Sequence, residues 1–373
     1  MENQVGTERV ETVIIGGGQA GIATGYFLKE LGRPFLILDA GERVGGAWRT
    51  RWDSLRLFTP ARFDRLPGFP YPGPAWSFPT KDEMADYLEA YVQRFDLPVR
   101  TGVKVERLAK EGDRFVITSS QGRIEADNVV VATGACQIPK VPGFASELSP
   151  TITQLHSKDY RTPSQLSDGD VLVVGVGNSG AEISTELSKS RRTLLAGKES
   201  GHLPVRHGSI PARYGFRVFR FLGHRVLTKG TPIGRKIGPK LIAHGDPLIR
   251  VRPKDLAAAS IERVPRVARV EGGLPVLEDG RALDVANVIW CTGYRSDFGW
   301  IDLPVVGTDG EPIHDRGVVA SEPGLYFIGL AFQYSFSSDV LPGMARDHAF
   351  VANHISSRAE MASRGVPELD AAR

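Results

Sequence analysis

The sequence predicts an α/β fold of two dinucleotide-binding (Rossmann-like) three-layer domains, the second inserted in a discontinuous first domain. The main observation is the succession of a strand, a glycine-rich turn and a helix in VIIGGGQAGIATGYFL, which starts at Val13. The same succession returns in VLVVGVGNSGAEIS, which starts at Val171. A further strand follows each helix, so each unit has the β-α-β order of a parallel sheet covered by helices.

The order of the motifs predicts the domain limits. The first domain is expected to comprise residues 1–151 and 283–373, and the second residues 152–282 with a helical insert near 203–245. CQIPKVPGF and GRALDVANVIW are the expected crossings between them. Within the first domain, KDEMADYLEAYVQRFD is typical of an amphipathic helix. The segment from VKVERL to VVVAT is typical of a β-meander with turns at EGDR and SQGR.

The first glycine turn matches the pattern G-x-G-x-x-G. Its first glycine permits the tight turn, the second lets a diphosphate approach the backbone, and the third lets the helix pack closely on the strand. The helix N-terminus attracts the diphosphate, and an acid about 20 residues further on can bind ribose hydroxyls. The unit is therefore predicted to bind the adenosine half of FAD through Gly16, Gly18, Gln19, Ala20, Gly21 and Asp39.

The second glycine turn repeats this pattern and is predicted to hold NADPH. Its glycines are Gly175, Gly177 and Gly180, and between them Asn178 and Ser179 are suited to cap the helix and to donate to phosphate oxygens.

The strand that follows the second helix leads to a cation, Lys198, where the first unit has Asp39. A carboxylate favours a free 2′-hydroxyl and a cation accommodates a 2′-phosphate, so the contrast indicates NADPH over NADH. Arg206 or Arg192 could take the same role, and a solvated position of Lys198 is the alternative. Two adjacent dinucleotide sites imply hydride transfer from a nicotinamide to a flavin.

The composition excludes several other classes of protein. The two cysteines, Cys136 and Cys291, lie too far apart in sequence for a Cys-x-x-Cys pair, and the histidines lack metal-ligand spacing, so no metal is expected. No apolar run approaches the roughly 20 residues that cross a bilayer. The polar N-terminus is not typical of a signal peptide. We therefore expect a cytoplasmic protein with a small-molecule substrate, and a homodimer stays open.

One segment has an uneven charge. Residues 200–245 contain no Asp or Glu but nine cations: Arg206, Arg213, Arg217, Arg220, Arg225, Lys229, Arg235, Lys236 and Lys240. Three interpretations stay open: a solvated cationic surface with its aromatic side chains packed inward, attraction of NADPH or an acidic substrate, and a peripheral amphipathic contact with a membrane. Nucleic-acid binding is not expected, since no recognition module accompanies the charge.

Further motifs follow in a fixed order: ERVGGAWR, LRLFTPAR, VVVATGA, VIWCTGYRSDFGWI, GLYFIGL and AFQYSFSSDVLPG. With them the chain resembles the flavin-containing (class B) monooxygenases, in particular short bacterial members and the YUCCA-type indole-pyruvate monooxygenases. The resemblance implies further FAD contacts at Gly46, Trp48, Thr59, Val105, Thr133, Gly134 and Gln333. It also implies NADPH contacts at Thr292 and Gly293.

The resemblance implies that NADPH reduces FAD, and that reduced FAD reacts with O2 to a C4a-(hydro)peroxyflavin that oxygenates nitrogen or sulfur or attacks a carbonyl. A reductase or oxidase without oxygen insertion and a non-catalytic nucleotide-sensing subunit stay open. Of the family signature F-x-G-x-x-x-H-x-x-x-(F/Y) only His156 and Tyr160 are present, and a packing role for His156 is an equal alternative. No catalytic acid or base is nominated. Phe332, Tyr334 and Phe336 indicate an aromatic substrate or a packed core.

Overall fold

The structure is a computed structural model that describes residues 7–198, 201–244 and 247–364. The strands are β1 Glu8–Ile15, β2 Phe35–Leu38, β3 Val99–Arg100, β4 Val105–Glu111, β5 Arg114–Ser119, β6 Gly122–Val131, β7 Ile138–Pro139, β8 Thr153–His156, β9 Val171–Val174, β10 Thr193–Ala196, β11 Glu262–Val264, β12 Val267–Glu271, β13 Leu274–Leu277, β14 Asn287–Trp290, β15 Tyr294–Arg295 and β16 Leu325–Phe327. The helices are α1 Gln19–Glu30, α2 Gly46–Arg49, α3 Lys81–Arg94, α4 Asn178–Leu187, α5 Ile210–Phe221, α6 Pro232–His244, α7 Pro253–Ala258 and α8 Ala345–Ser363.

The first sheet has the strand order β3-β2-β1-β6-β5-β4. Strands β1, β2, β3 and β6 are parallel, and β4, β5 and the first half of β6 form the predicted antiparallel meander. Strand β16 pairs with the second half of β6 in parallel, with Leu325 beside Val129. A segment nearly 200 residues further along the chain thus completes this sheet, which makes the first domain discontinuous.

The second sheet is formed entirely between β6 and β16 in sequence. Its order is β11-β10-β9-β14-β8, and all four pairings are parallel. The predicted fold class, two Rossmann-like domains with one inserted in the other, is therefore confirmed. The limits 151/152 and 282/283 stay predictions.

Each sheet is covered on both faces, as the β-branched strands predict. In β1, Ile14 belongs to one buried cluster whereas Val13 and Ile15 belong to another. In β9, Val173 and Leu172 likewise point into two different clusters. This alternation is the three-layer arrangement, and it leaves the carboxyl ends of the strands free to form sites.

The predicted amphipathic helix is α3. Thr80 caps it by accepting a hydrogen bond from the Glu83 amide at 3.1 Å, while the Glu83 carboxylate accepts from the Thr80 amide at 2.7 Å. Such a reciprocal cap satisfies two amides that the first turn leaves unpaired. The buried face, which includes Met84, Leu88 and Tyr91, packs into the core of the first domain. No helix in the described ranges has both the length and the apolar character needed to cross a membrane.

Candidate functional site: two glycine turns and an arginine-lined cavity

The first glycine turn joins β1 to α1 and has an open centre. Gly16 has a φ of +114°, and a Cβ there would lie 2.4 Å from the Ala132 carbonyl oxygen. A Cβ at Gly21 would lie 1.8 Å from the Gly16 carbonyl oxygen. At Gly18, by contrast, a Cβ would meet no atom within 4 Å. The outer glycines are therefore required by the fold, and the space over Gly18 fits a diphosphate.

The second turn, between β9 and α4, repeats this geometry. A Cβ at Gly175 would lie 2.3 Å from the Cys291 carbonyl oxygen, and one at Gly180 would lie 1.9 Å from the Gly175 carbonyl oxygen. Gly175 has a φ of +112°, and a Cβ at Gly177 would again meet nothing within 4 Å. The two turns are thus built alike, each with one position left open to a ligand.

Asp39 follows β2 and holds the first turn in place. Its carboxylate accepts hydrogen bonds from the amides of Gly17 at 2.5 Å and Gly41 at 2.7 Å. The next segment is tied to the same edge of the sheet, since the amide of Val103 donates to the Asp39 carbonyl at 2.8 Å. Val105, two residues further on, begins β4 at this edge. The structure therefore brings Asp39 and Val105 to the same side of the first turn.

The predicted NADPH residues differ in what their side chains do. Asn178 is committed to the protein: its amide donates to the Pro247 carbonyl at 3.1 Å, and its carbonyl accepts from the Ile249 amide at 2.9 Å. Ser179 lies next to it at the start of α4, half-buried. Lys198 is exposed beyond the carboxyl end of β10, and Arg206 is exposed in the loop before α5. Both cations are thus free of the core.

Two crossings lie beside the glycine turns. After β6, the Ala132 amide donates to the Ile15 carbonyl at 2.8 Å, which sets Thr133 and Gly134 next to Gly16. After β14, the Cys291 amide donates to the Val174 carbonyl at 2.8 Å, which sets Thr292 and Gly293 next to the second turn. The equivalence of the two crossings explains why both sequences end in Thr-Gly.

His156, at the end of β8, holds the second crossing. Its Nε2 lies 3.1 Å from the Gly293 carbonyl, and its Nδ1 accepts from the Lys158 amide at 3.1 Å. The ring also lies edge-on to Tyr294 at 5.1 Å, and burial lowers the pKa of His156. Tyr160 is fully buried and donates to Glu186 at 2.8 Å. These contacts correspond to the packing alternative for His156.

The side chains of Trp48 and Thr59, both predicted to lie along the flavin, are each fixed by a hydrogen bond within the first domain. Gly46 opens α2, where a Cβ would meet nothing within 4 Å. The Trp48 indole donates to the Gln19 side-chain oxygen at 3.1 Å, which joins α2 to the start of α1. The buried Thr59 hydroxyl is hydrogen-bonded to Asp64. Burial raises the pKa of Asp64 to about 8, against the lowering effect of Thr59.

Gln333 has protein partners for its side chain. Its amide group donates to the carbonyls of Arg316 and Phe327, both at 3.1 Å, and the residue is fully buried. Its contact with FAD stays a prediction. Tyr334 lies between two guanidinium groups, with Arg316 4.1 Å and Arg346 4.3 Å from the ring centre. For this aromatic segment the packed-core interpretation is the one that these contacts favour.

Sequence reasoning missed a cavity of about 1060 Å³ between the segment 62–75, the end of the insert and the start of α8. Its basic lining residues are Arg62, Arg65, Arg220, His224 and Arg346, and its described lining contains no acid. Burial, with the charges of Arg346 and Arg220, lowers the pKa of His224 to about 4. The only sequence signal was the acid-free segment, because the other arginines come from two distant parts of the chain.

Comparisons with known proteins agree with this geometry. The family described as "Pyridine nucleotide-disulphide oxidoreductase" matches residues 13–200. An uncharacterised CzcO-like oxidoreductase of Geobacillus kaustophilus is 41% identical over 349 residues, which are 93% of this chain and 98% of that protein. Probable indole-3-pyruvate monooxygenase YUCCA3 of Arabidopsis thaliana is 30% identical, over 97% of this chain and 90% of its own length. The chain belongs to the flavin monooxygenases within the pyridine nucleotide-disulphide oxidoreductase family.

Solved structures give the same result. A flavin-containing monooxygenase from Stenotrophomonas maltophilia superposes with a TM-score of 0.76 at 27% identity, covering 95% of this chain and all of that one. A bacillithiol disulfide reductase from Bacillus cereus, at a TM-score of 0.69 and 18% identity, shares the fold. The chain is thus a flavin-dependent oxidoreductase, and membership of the family confirms FAD and NADPH as its cofactors.

Proposed function

We propose that this protein is an NADPH-dependent flavoprotein monooxygenase that oxygenates a small organic acid. The observation that carries the proposal is the pair of matching glycine turns, each open only at its middle glycine, Gly18 or Gly177. When bound, FAD and NADPH supply the electrons and the activation of O2, and the chain supplies position, hydrogen bonds and exclusion of water.

The first turn would hold FAD by the amides at the start of α1, with the carboxylate of Asp39 oriented beside them. The second turn would hold the NADPH diphosphate on α4, with Lys198 or Arg206 at the 2′-phosphate. The role of Asn178 would be to hold the segment at Pro247 against the second turn.

The insert covers one side of the segment predicted to lie along the flavin. His207 lies with its Nε2 2.8 Å from the Phe58 carbonyl, and its ring contacts the Phe78 ring in a tilted arrangement at 4.1 Å between centres. Burial lowers the pKa of His207, so the ring is neutral at physiological pH and donates one hydrogen bond to the carbonyl. Exclusion of water strengthens every hydrogen bond inside the site.

The cavity supports the proposed class of substrate. Guanidinium groups of Arg62, Arg65 and Arg220 line it without an acidic counterpart among the lining residues, and Phe63 and Tyr71 add aromatic surface. The nearest acid in sequence, Asp64, does not neutralise them, since its raised pKa of about 8 keeps it protonated at neutral pH. Such a lining fits an aromatic or apolar acid, a chemistry that the indole-3-pyruvate in the name of YUCCA3 also has.

A second candidate function is an NADPH oxidase that releases peroxide. The observation in its favour is that the Thr59 hydroxyl, the side-chain donor at the predicted flavin segment, is already bonded to Asp64. With its proton committed to Asp64, the hydroxyl would have no donor to offer to oxygen chemistry beside the flavin.

The deciding experiment measures NADPH consumed, peroxide released and ¹⁸O incorporated from ¹⁸O2 with phenylpyruvate and indole-3-pyruvate as trial acids. The monooxygenase predicts labelled product and less peroxide than NADPH oxidised with one of the acids. Peroxide equal to NADPH under every condition supports the oxidase. Absence of NADPH turnover in a yellow, FAD-loaded protein supports the nucleotide-sensing subunit.

A further inference from the structure

The insert carries an exposed apolar surface. Twelve large apolar side chains are exposed among the residues that the structure describes, and eight of them come from residues 210–237. We call these eight the insert face: Ile210, Tyr214, Val218, Phe219, Phe221, Leu222, Ile233 and Ile237. The exposed fraction reaches 66% for Ile210 and Tyr214. So concentrated an apolar patch on an otherwise ordinary surface indicates a contact with another molecule.

The helix α5 turns its apolar side outward. Ile210, Tyr214, Val218 and Phe221 follow one another at intervals of four, four and three residues, which places them along one side of a helix. A helix on the surface of a globular protein normally buries that side and exposes its charges. In α5 this apolar side is exposed. Phe216, by contrast, packs on Phe63 at 4.8 Å between ring centres, so the interpretation with aromatic side chains packed inward describes only part of α5.

The cationic side of α5 explains this orientation. Arg213 and Arg217 lie over the Trp76 ring at 5.2 and 5.9 Å, and Arg220 lies over the Phe63 ring at 5.8 Å. Cation–π contacts of this kind attach the helix to the first domain through its arginines. These contacts hold α5 together with the packing of Phe216 on Phe63 and of Phe219 on Phe336. The side of the helix that carries Ile210, Tyr214 and Val218 stays available.

Cations also surround the insert face. Arg206, Arg225, Arg235 and Lys236 are exposed there, and no acid occurs in residues 200–245. The formal charge of the whole chain is only +3, so the rest of the molecule is acidic. The excess of positive charge is therefore concentrated in the insert.

We propose that the insert face binds reversibly to a membrane surface that contains anionic lipids. Apolar side chains along one side of a helix enter the boundary between headgroups and acyl chains, and flanking Arg and Lys attract anionic headgroups. A second copy of the chain docking through the same face would oppose two cationic surfaces, which repel each other. An anionic lipid surface satisfies both the apolar and the charged parts of the face. This proposal stands independently of the oxygenation reaction.

The experiment is co-sedimentation of the FAD-loaded protein with phosphatidylcholine vesicles, with and without phosphatidylglycerol, in the absence of NADPH. We expect binding that requires phosphatidylglycerol and weakens as salt is added. The double variant Val218→Glu/Phe221→Glu should lower the bound-to-free ratio about tenfold or more, because it removes two inserted side chains. Val218 is 58% exposed and Phe221 59%, so neither substitution disturbs the core.

The matched control is Ile313→Glu, since Ile313 is also 59% exposed but lies outside the insert. It should bind vesicles as the unmodified protein does. Arg235→Gln/Lys236→Gln should weaken the binding to vesicles that contain phosphatidylglycerol, because it removes two of the cations that attract anionic headgroups. Equal binding to both vesicle types, or equal losses in Ile313→Glu and Val218→Glu/Phe221→Glu, would overturn the proposal. A dimer that Val218→Glu/Phe221→Glu dissociates, without vesicle binding, would assign the face to a second copy instead.

Discussion

Two residues, Asp39 and Lys198, occupy corresponding places in the two domains and carry opposite charges. Asp39 follows β2, beside the first glycine turn, and its carboxylate is held by the amides of Gly17 and Gly41. Lys198 follows β10, the strand next to β9, and is exposed. The difference in charge would give each domain its own preference between a ribose hydroxyl and a phosphate.

The charge at position 198 should therefore determine the choice of nicotinamide cofactor. We expect Lys198→Glu to lower kcat/KM for NADPH by roughly tenfold or more, since a charge-assisted hydrogen bond is lost and a repulsion added. The value for NADH should change little. Steady-state kinetics with both cofactors measure this. Lys189→Glu, an exposed lysine after α4, is the control for net charge. A larger loss of NADPH preference in Arg206→Glu would transfer the role to Arg206.

Asp64 should make the stability of the protein depend on pH. Burial raises the pKa of this carboxyl from 3.8 to about 8, so the native state holds a proton that the unfolded chain releases. Stability is then complete below the unfolded value and declines as pH rises toward 8. We expect Asp64→Asn to raise the melting temperature at about pH 9 and to change it little at about pH 4. Asp113→Asn, in an exposed turn, should have no such effect.

At the level of elements, mutation should separate the roles of the two glycine turns in binding FAD and NADPH. Valine fits sterically at Gly18 and Gly177, where a Cβ meets no protein atom and the backbone is extended. We expect Gly18→Val to give a folded but colourless protein. Gly177→Val should stay yellow and raise the KM for NADPH at least about tenfold, since only the diphosphate is obstructed.

The control for these variants is Gly180→Ala, where the new Cβ would lie 1.9 Å from a backbone oxygen. It should fail to fold, as the expression of soluble protein would show. Loss of FAD in Gly177→Val, with FAD retained in Gly18→Val, would reverse the assignment of the two turns.

The sequence predicted these elements well because their signals are local. The glycine spacing in β1–α1 and β9–α4, the amphipathic pattern of α3 and the turns of the meander all lie within a few residues of what they specify. The orientation of α5 was not predictable in this way. Its sequence alternates arginines and apolar residues, and the partner that selects the arginine side, Trp76, lies more than 130 residues away.

The site residues likewise divide into those predicted from local sequence signals and those whose contacts come from distant parts of the chain. The open glycine positions follow from the motif. The hydrogen-bond partners of Asn178 do not, because Pro247 and Ile249 lie about 70 residues further along the chain. The cavity collects arginines from residues 62–75, from the insert and from α8. The contacts of Asn178 depend on how the second domain folds on itself, and the cavity depends on how that domain lies on the first. No local pattern encodes either arrangement.

For the whole molecule, a few contacts between the domains determine this arrangement. The Arg250 guanidinium donates to the Arg56 carbonyl at 3.1 Å and to Glu182 at 3.0 Å. Within the first domain, Arg51 donates to the Tyr294 hydroxyl at 2.9 Å and joins its two parts across 243 residues of sequence. Arg250 is the one that joins α4, at the second glycine turn, to the segment predicted to lie along the flavin.

Arg250 should therefore stabilise the assembled molecule in a pH-dependent way. Burial raises the pKa of Glu182 to about 7 and Arg250 opposes that rise, so stability falls as pH increases from 4.5 toward 7. In Arg250→Gln the opposing charge is lost and the pKa of Glu182 rises further. We expect a loss of roughly 2 kcal/mol at about pH 8, less than for a fully buried pair, and a smaller loss at about pH 5. Thermal unfolding measured at both pH values tests this.

Glu182→Gln/Arg250→Gln is the decisive companion variant, since it removes the buried carboxyl together with its partner. It should recover part of the stability at about pH 8 and lose the difference between the two pH values. If Arg250→Gln is equally destabilised at both pH values and the second substitution restores nothing, the contribution of Arg250 lies in its hydrogen bond to Arg56 alone. The contact between the domains would then be held by the backbone carbonyl, and its strength would not change with the ionisation of Glu182.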